Sequence, residues 1–269
     1  MLRFASGARS DVGLVRDNNE DSGFAGPYLQ LVADGVGGAA AGEVASATTA
    51  YVVSALSADA ASRDLRQLLT DAVRVAHEQL RAGVEADPGR TGMATTLTAA
   101  LAHGDEVVMA HIGDSRGYRW REGRLEQLTT DHTVVQALID EGQLTREQVP
   151  THPYRSVVLR SVDADSDPVP DVFQADLRVG DRLMLCSDGL SDLVAEAEMG
   201  RALGLPDPQE AASALVDAAL ANGGRDNVTV LVADLEDGPV LHPDGRLLGA
   251  LGDPYLVIDP GAVRHSDSI

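Results

Sequence analysis

Short apolar runs separated by glycine turns make up most of this chain, with helical stretches set among them. Leu2–Arg9 and Phe24–Ala33 read as strands, the second folded back at Gly26-Pro27. Past Gly38 the period becomes helical. Ala39–Leu56 is rich in alanine, and Leu65–Val84 places Leu65, Leu68, Leu69, Ala72, Val73, Ala76, Leu80 and Val84 on one face. Ser62 is placed to cap that second helix and Asp87-Pro88-Gly89 to end it.

A strand meander is predicted next, over Thr95–Ala102, Glu106–Ile112, Gly117–Arg121 and Arg124–Leu128. His132–Glu141 reads as a short helix, and Thr145 with Gln148 as a small capping pair. From Pro150 to Pro170 the chain is irregular, the pattern of a substrate-facing flap. Strands resume at Val172–Ala175 and Arg182–Ser187. Gln209–Ala221 is an amphipathic helix closed by Asn222-Gly223-Gly224, and Asn227–Leu235 is the last strand. Strands, two long helices, strands, a helix and a strand make an α+β protein rather than a regular βαβ alternation. Beyond Glu236, Pro239, Pro243, Pro254 and Pro260 break the periodicity, so 237–269 is expected to be an appended tail or linker, with Leu247–Ile258 able to pack on the body or a partner.

Four apolar runs share one feature. Leu31–Ala33 stops at Asp34-Gly35, Val107–Ile112 is followed by Gly113-Asp114, Leu183–Ser187 by Asp188-Gly189, and Asp226 opens Asn227–Leu235. Each aspartate alone reads as an ordinary turn residue. If the strand ends meet on one edge, carboxylates converge without a matching set of cations, and a hard divalent metal would hold them together.

Composition narrows the chemistry. The 269 residues suffice for one large domain or two small ones, and 44% hydrophobic content supports a sizeable core. Aromatic residues are only 3%, so stacking platforms for nucleic acid are scarce, and a net charge of −21 opposes nucleic acid and anionic membrane. The chain contains no lysine, which excludes P-loop hydrolysis, kinase chemistry and Schiff bases. The single cysteine, Cys186, excludes an intramolecular disulfide and sits in an apolar strand, where it reads as core. No apolar leader follows Met1 and no stretch is long enough to span a bilayer, so no membrane insertion and a cytoplasmic setting are expected.

Taken in order, Arg16-x-x-Asn19-Glu20-Asp21, Asp34-Gly35-Val36-Gly37-Gly38, Gly113-Asp114-Ser115-Arg116, Ser187-Asp188-Gly189 and Asp226-Asn227 resemble the metal-dependent PPM phosphatases, the type 2C serine/threonine phosphatases, in their bacterial single-domain form. The resemblance runs from about Asp11 to Asp234. It implies a four-layer α/β/β/α sandwich of two antiparallel sheets packed face to face. A catalytic domain would occupy 1–236, with a flap at about 131–170.

The resemblance also implies the site. Asp34 would bridge two Mn²⁺ or Mg²⁺ ions, and the Gly35 carbonyl would ligate one of them. Asp188 and Asp226 would complete the other, and Asp114 would share a third, weaker ion with Asp188. Glu20 would act through water, with Asp21 and Asn227 behind the ligands. Arg16 would bind the substrate phosphate, although an arginine so placed also reads as a surface partner of Glu20 or Asp21. Phosphoserine and phosphothreonine would be hydrolysed by in-line attack of a water held between the ions, reversing the work of Ser/Thr kinases on their substrates.

One departure stands out. Many relatives carry a histidine where this chain has Val36, which has no proton to give a leaving alkoxide. His111 reads as structural, while His132 and His152 flank the flap as weaker acid candidates. Ala94, before Thr95-Thr96, is a milder change. A catalytically weak phosphoprotein-binding or partner-switching regulator on the same fold therefore stays open as the alternative.

Overall fold

The computed structural model describes residues 1–36 and 41–263. Gly37, Gly38, the helix start expected at Ala39, and 264–269 lie outside them. Strands β1 (Leu2–Asp11), β2 (Ser22–Ala25), β3 (Leu29–Ala33) and β4 (Gly35–Val36) lead into helices α1 (Gly42–Ser57) and α2 (Leu65–Ala86). A meander follows: β5 (Ala94–Thr95), β6 (Leu97–His103), β7 (Glu106–Ile112), β8 (Arg116–Arg121) and β9 (Arg124–Gln127). Helix α3 (Val134–Asp140), β10 (Val162–Asp163), β11 (Asp171–Gln174) and β12 (Arg182–Cys186) come next. Helices α4 (Asp188–Ser191), α5 (Glu196–Leu203) and α6 (Pro208–Ala221) precede β13 (Val228–Asp237) and β14 (Arg246–Gly249).

Two large sheets carry the fold. One runs β1-β13-β12-β8-β9, the other β11-β7-β6-β3-β2-β14, and a small third sheet runs β10-β5-β4. Strand periodicity assigns the layers. Along β13, Val228, Val230 and Val232 pack with Leu190, Leu215 and Val216 of the α4–α6 layer. Leu231, Ala233 and Leu235 point the other way, into a core shared with Val32, Ala100 and Met109 of the second sheet. That sheet's outer face, with Leu97, Ala99 and Leu101, packs on Val52, Leu68, Leu69 and Leu80 of α1 and α2. Each large sheet is thus buried on both faces, which is why its central strands read as nearly continuous apolar runs. The layer order is α/β/β/α, as the resemblance implies.

Two expectations need correcting. The N-cap of α2 is Asp64, whose carboxylate accepts from the Gln67 amide at 2.9 Å. Nor does the body end at 236. β14 pairs with β2 and extends the second sheet, and Leu248, Ala250, Leu251, Val257 and Val263 are buried. A four-residue edge strand among glycines and prolines shows no period in the sequence. The option that Leu247–Ile258 packs on the body is the one the structure takes.

Candidate active site

Asp34 stands where β3 hands over to β4. Its amide donates to Thr96 Oγ1 at 3.0 Å, and its carbonyl accepts from the Thr96 amide and the Thr95 hydroxyl, each at 2.9 Å. The backbone is thereby fixed and the carboxylate left free. Gly35 is required by crowding rather than by a positive φ. A Cβ there would lie 2.5 Å from the Gly42 carbonyl oxygen and 2.7 Å from that of Glu20. The start of α1 therefore abuts the chain beside Asp34.

Asp114 sits in the turn between β7 and β8. Gly113 has φ 112° there, and a Cβ would meet Thr96 Cγ2 at 2.5 Å. Ser115 Oγ lies 2.6 Å from Thr96 Oγ1, so the Asp34 and Asp114 turns share one buried threonine. His132 holds the same turn from the far side: its backbone amide donates to the Gly113 carbonyl at 2.7 Å, and its Nδ1 accepts from the Gly113 amide at 3.2 Å.

Asp188 opens α4 directly after β12. A Cβ on Gly189 would fall 1.9 Å from the Asn227 carbonyl oxygen, so only glycine lets α4 start against β13. Asn227 joins three segments. Its Nδ2 donates to the carbonyls of Val12 and Asn18, each at 2.9 Å, and its Oδ1 accepts from the Glu20 amide at 2.8 Å. Asp21 is fully buried and accepts from Ser187 Oγ at 2.7 Å, while its other oxygen, Oδ1, has no hydrogen-bond partner among the described residues. Asp21 and Asn227 thus brace the site from behind.

The electrostatics are dominated by crowded acids. Burial lifts the Asp34 carboxyl well above its ordinary range, and Asp21, Asp188, Asp114 and Asp226 push it further. Asp188 is raised in the same way by burial, then by Asp114, Asp192 and Asp226. Burial takes Asp114 to about 6, with Asp131 and Asp192 adding to it. Glu20 is raised, chiefly by burial. Two arginines touch these acids directly. Arg16 Nη2 donates to Asp226 Oδ2 at 2.8 Å, and Arg116 is spent on Asp131, with Nε and Nη2 both donating. Among the described residues, no three acidic, histidine or cysteine side chains already close on a single point.

Of the expected site residues, Arg16, Asp114, Asp188 and Asp226 line a cleft of about 840 Å³, whereas Asp34, Gly35, Glu20 and Asp21 are not among its lining residues. Arg146, Val149, Pro150, Arg155 and Ser156, from the region expected to be a flap, form one wall. Arg16 pairs with Asp226, not with Glu20 or Asp21. Val36 is 39% exposed. Neither His132 nor His152, the two acid candidates, lines the cleft, and nor does His111. His111 is buried between Thr98 and Thr130, and His132 Nε2 lies 3.2 Å from Asp171.

Sequence reasoning missed Asp192, Asp131 and Arg225, all on the cleft. Asp192 had a signal: it follows Asp188 by four residues, and its amide closes the helical turn onto the Asp188 carbonyl at 2.8 Å. Asp131 had none, because only the fold brings it to Arg116.

Comparison with known proteins identifies relatives of the chain. The family described as protein phosphatase 2C matches residues 17–219. The serine/threonine protein phosphatase PstP of Mycobacterium tuberculosis is 48% identical over 271 residues, covering 100% of this chain and 52% of PstP. The chain thus spans about half the length of that curated relative. The crystal structure of the M. tuberculosis phosphatase PstP/Ppp superposes with a TM-score of 0.84 at 47% identity, over 87% of this chain and 100% of that one. A crystal structure of the PstP catalytic domain in complex with two manganese ions gives a TM-score of 0.78 at 45% identity, over 88% and 100%.

Proposed function

The chain belongs to the protein phosphatase 2C family, and we propose that it is a Mn²⁺- or Mg²⁺-dependent protein serine/threonine phosphatase. One observation carries the proposal. Asp34, Asp114, Asp188 and Asp226 lie near enough to repel one another and burial adds to that repulsion, while the arginines in direct contact with acids there are Arg16 on Asp226 and Arg116 on Asp131. Hard divalent cations fit such an oxygen-rich donor set. The two manganese ions of the PstP catalytic domain support the same reading.

In this reading Asp34, the Gly35 carbonyl, Asp188 and Asp226 would hold two ions and Asp114 a third, weaker one. Glu20 would act through water, with Asp21 and Asn227 behind. Two divalent ions bound there supply an activated water and offset charge on the phosphoryl oxygens. Arg16 would turn from Asp226 to the substrate, where its planar fork matches two phosphate oxygens. Val36 has no proton to give, so solvent in the cleft would protonate the leaving alkoxide. The substrates would be phosphorylated proteins, with Ser/Thr kinases and their targets as the specific partners, in a cytoplasmic setting. No described helix is long and apolar enough to cross a membrane.

The test is phosphate release from a phosphothreonine peptide by metal-stripped protein, titrated with Mn²⁺ and then Mg²⁺, with Asp226→Asn alongside. Metal-dependent release that the variant lacks supports the proposal. Folded protein that releases nothing at any metal concentration overturns it in favour of a phosphoprotein-binding regulator.

A further inference from the structure

Five arginines line the cleft, more than the scissile phosphate requires, beside five aspartates, Asp114, Asp131, Asp188, Asp192 and Asp226. Arg116 is committed to Asp131, and Arg16 lies on Asp226. The other three, Arg146, Arg155 and Arg225, are exposed, and among the described residues none has a carboxylate within ion-pair distance or a side-chain hydrogen bond. Acids outnumber bases 42 to 21, and most described arginines elsewhere lie on a carboxylate, Arg66, Arg81, Arg124, Arg201 and Arg246 being the others without an ion pair.

Their placement is as informative as their freedom. Arg146 and Arg155 come from the flap wall, and Arg225 from the loop before Asp226. An extended peptide whose phosphorylated side chain reaches Asp188 and Asp226 must run its neighbouring residues past these walls. We propose that Arg146, Arg155 and Arg225 form a subsite for a second anionic side chain on the same phosphopeptide, so that the enzyme prefers phosphosites flanked by acidic residues or by a further phosphate. The inference rests on reading the cleft as a phosphoprotein site.

Charge complementarity decides the occupant. The net charge of −21 repels acidic peptides at long range, but that field fades beyond about 8–10 Å at physiological salt. On the cleft walls Arg146, Arg155 and Arg225 act at short range, Arg155 also facing Asp192, and each presents a planar fork that fits carboxylate or phosphate. A neutral or basic flanking sequence gains nothing from them.

Binding can be read without turnover. Fluorescence anisotropy on metal-free protein would compare three labelled phosphothreonine peptides, flanked by aspartates, by glutamines, or by a second phosphothreonine. Steady-state kcat/KM in Mn²⁺ would be measured on the same set. We expect the aspartate-flanked peptide to bind about tenfold tighter than the glutamine-flanked one at physiological salt, where the long-range repulsion is screened. That ratio should shrink in Arg155→Gln and Arg225→Gln and approach one when Arg146→Gln is added. A larger gain from the second phosphothreonine than from aspartate identifies doubly phosphorylated substrates, and equal gains identify acidic sequence in general. A wild-type ratio near one, or a ratio that the triple variant leaves unchanged, overturns the inference. Hydrolysis of p-nitrophenyl phosphate separates the two readings. Wild-type protein that turns it over without any anion preference sinks the subsite alone. Protein that prefers acidic peptides but hydrolyses nothing sinks the enzyme reading and leaves the subsite standing.

Discussion

The Arg16 guanidinium rests on Asp226, joining the expected phosphate ligand to an expected metal ligand across 2.8 Å. The side chains are 48% and 39% exposed, so the pair is worth only about 0–1 kcal/mol and exchanges readily for better partners. Arg16→Ala should therefore leave stability within roughly 0.5 kcal/mol of wild type. It should raise KM for a phosphopeptide about 10- to 100-fold, the loss of a charge-assisted contact of roughly 1.5–3 kcal/mol. Steady-state kinetics with urea unfolding check both halves. A variant with unchanged KM would return Arg16 to the role of a surface ion pair.

Asp34→Asn separates activity from stability. The substitution keeps the backbone bonds to Thr95 and Thr96 but removes a charge that burial and four neighbouring acids disfavour. Turnover should be abolished, while the metal-free protein gains roughly 1–2 kcal/mol, a few degrees in Tm. Mn²⁺ should raise the wild-type Tm and hardly move the variant. Calorimetry with and without Mn²⁺ reads this, and equal Mn²⁺ stabilisation of both proteins would remove Asp34 from the metal site.

What the sequence disclosed follows how each residue is held. Asp34, Asp114, Asp188 and Asp226 were visible because each ends or opens an apolar strand. The doubly buried β6, β12 and β13 left long apolar runs for the same physical reason. Asp131 and Arg225 were hidden because their relevance depends on which walls of the cleft the chain forms. The glycine at 35 was anticipated as a sharp turn, whereas the structure gives its reason as the Gly42 carbonyl 2.5 Å from a would-be Cβ, a contact between segments that no local pattern reports.

Gly189 offers a steric test of how α4 positions Asp188. A methyl group there would overlap the Asn227 carbonyl oxygen at 1.9 Å, and both partners are backbone. Gly189→Ala should destabilise by roughly 3 kcal/mol, the upper end of overpacking costs, and lower metal affinity by displacing Asp188. Gly92→Ala serves as the contrast, since a Cβ there meets nothing within 4 Å, although its φ of 86° still disfavours alanine. Urea midpoints would decide, and a Gly189→Ala protein as stable as Gly92→Ala would contradict the packing.

His111 should make stability depend on pH. Its Nε2 faces the Thr130 carbonyl, which only accepts, so that nitrogen carries the proton, while Nδ1 lies 2.9 Å from Thr98 Oγ1, whose single proton also has the Ser115 carbonyl as an acceptor at 2.9 Å. Burial, then His132 at 4.8 Å between ring centroids, lowers its pKa to about 4 from an ordinary 6.5. Between those values the unfolded chain binds the proton and the folded chain does not. The stabilisation is complete above about 6.5 and is lost as pH falls toward 4, up to roughly 3 kcal/mol. The crowded carboxylates tilt the profile the other way but are common to wild type and His111→Gln. The difference in slope between the two isolates the imidazole, and parallel profiles from pH 7 to pH 4.5 would sink the assignment.

Truncation before β14 tests whether the C-terminal segment belongs to the body. Leu248 and Gly249 pair with Gly23 and Ser22, and the Ala250 amide donates to the Asp21 carbonyl at 2.7 Å. Gly249 takes φ 59°, and a Cβ on it would lie 2.1 Å from that same carbonyl oxygen. The segment thus closes over Asp21, the residue proposed to stand behind the metal ligands. Ending the chain at Pro243 would expose the β2 edge and uncover the aliphatic side chains packed under Leu248, Leu251 and Val257. At about 25 cal/mol per Å² of apolar surface, several such side chains amount to several kcal/mol. The truncated protein should therefore melt well below the longer chain and, while still folded, bind Mn²⁺ more weakly through a loosened Asp21. An unchanged Tm would show that 246–263 adds nothing to the domain, and a lowered Tm with unchanged Mn²⁺ affinity would confine its role to packing.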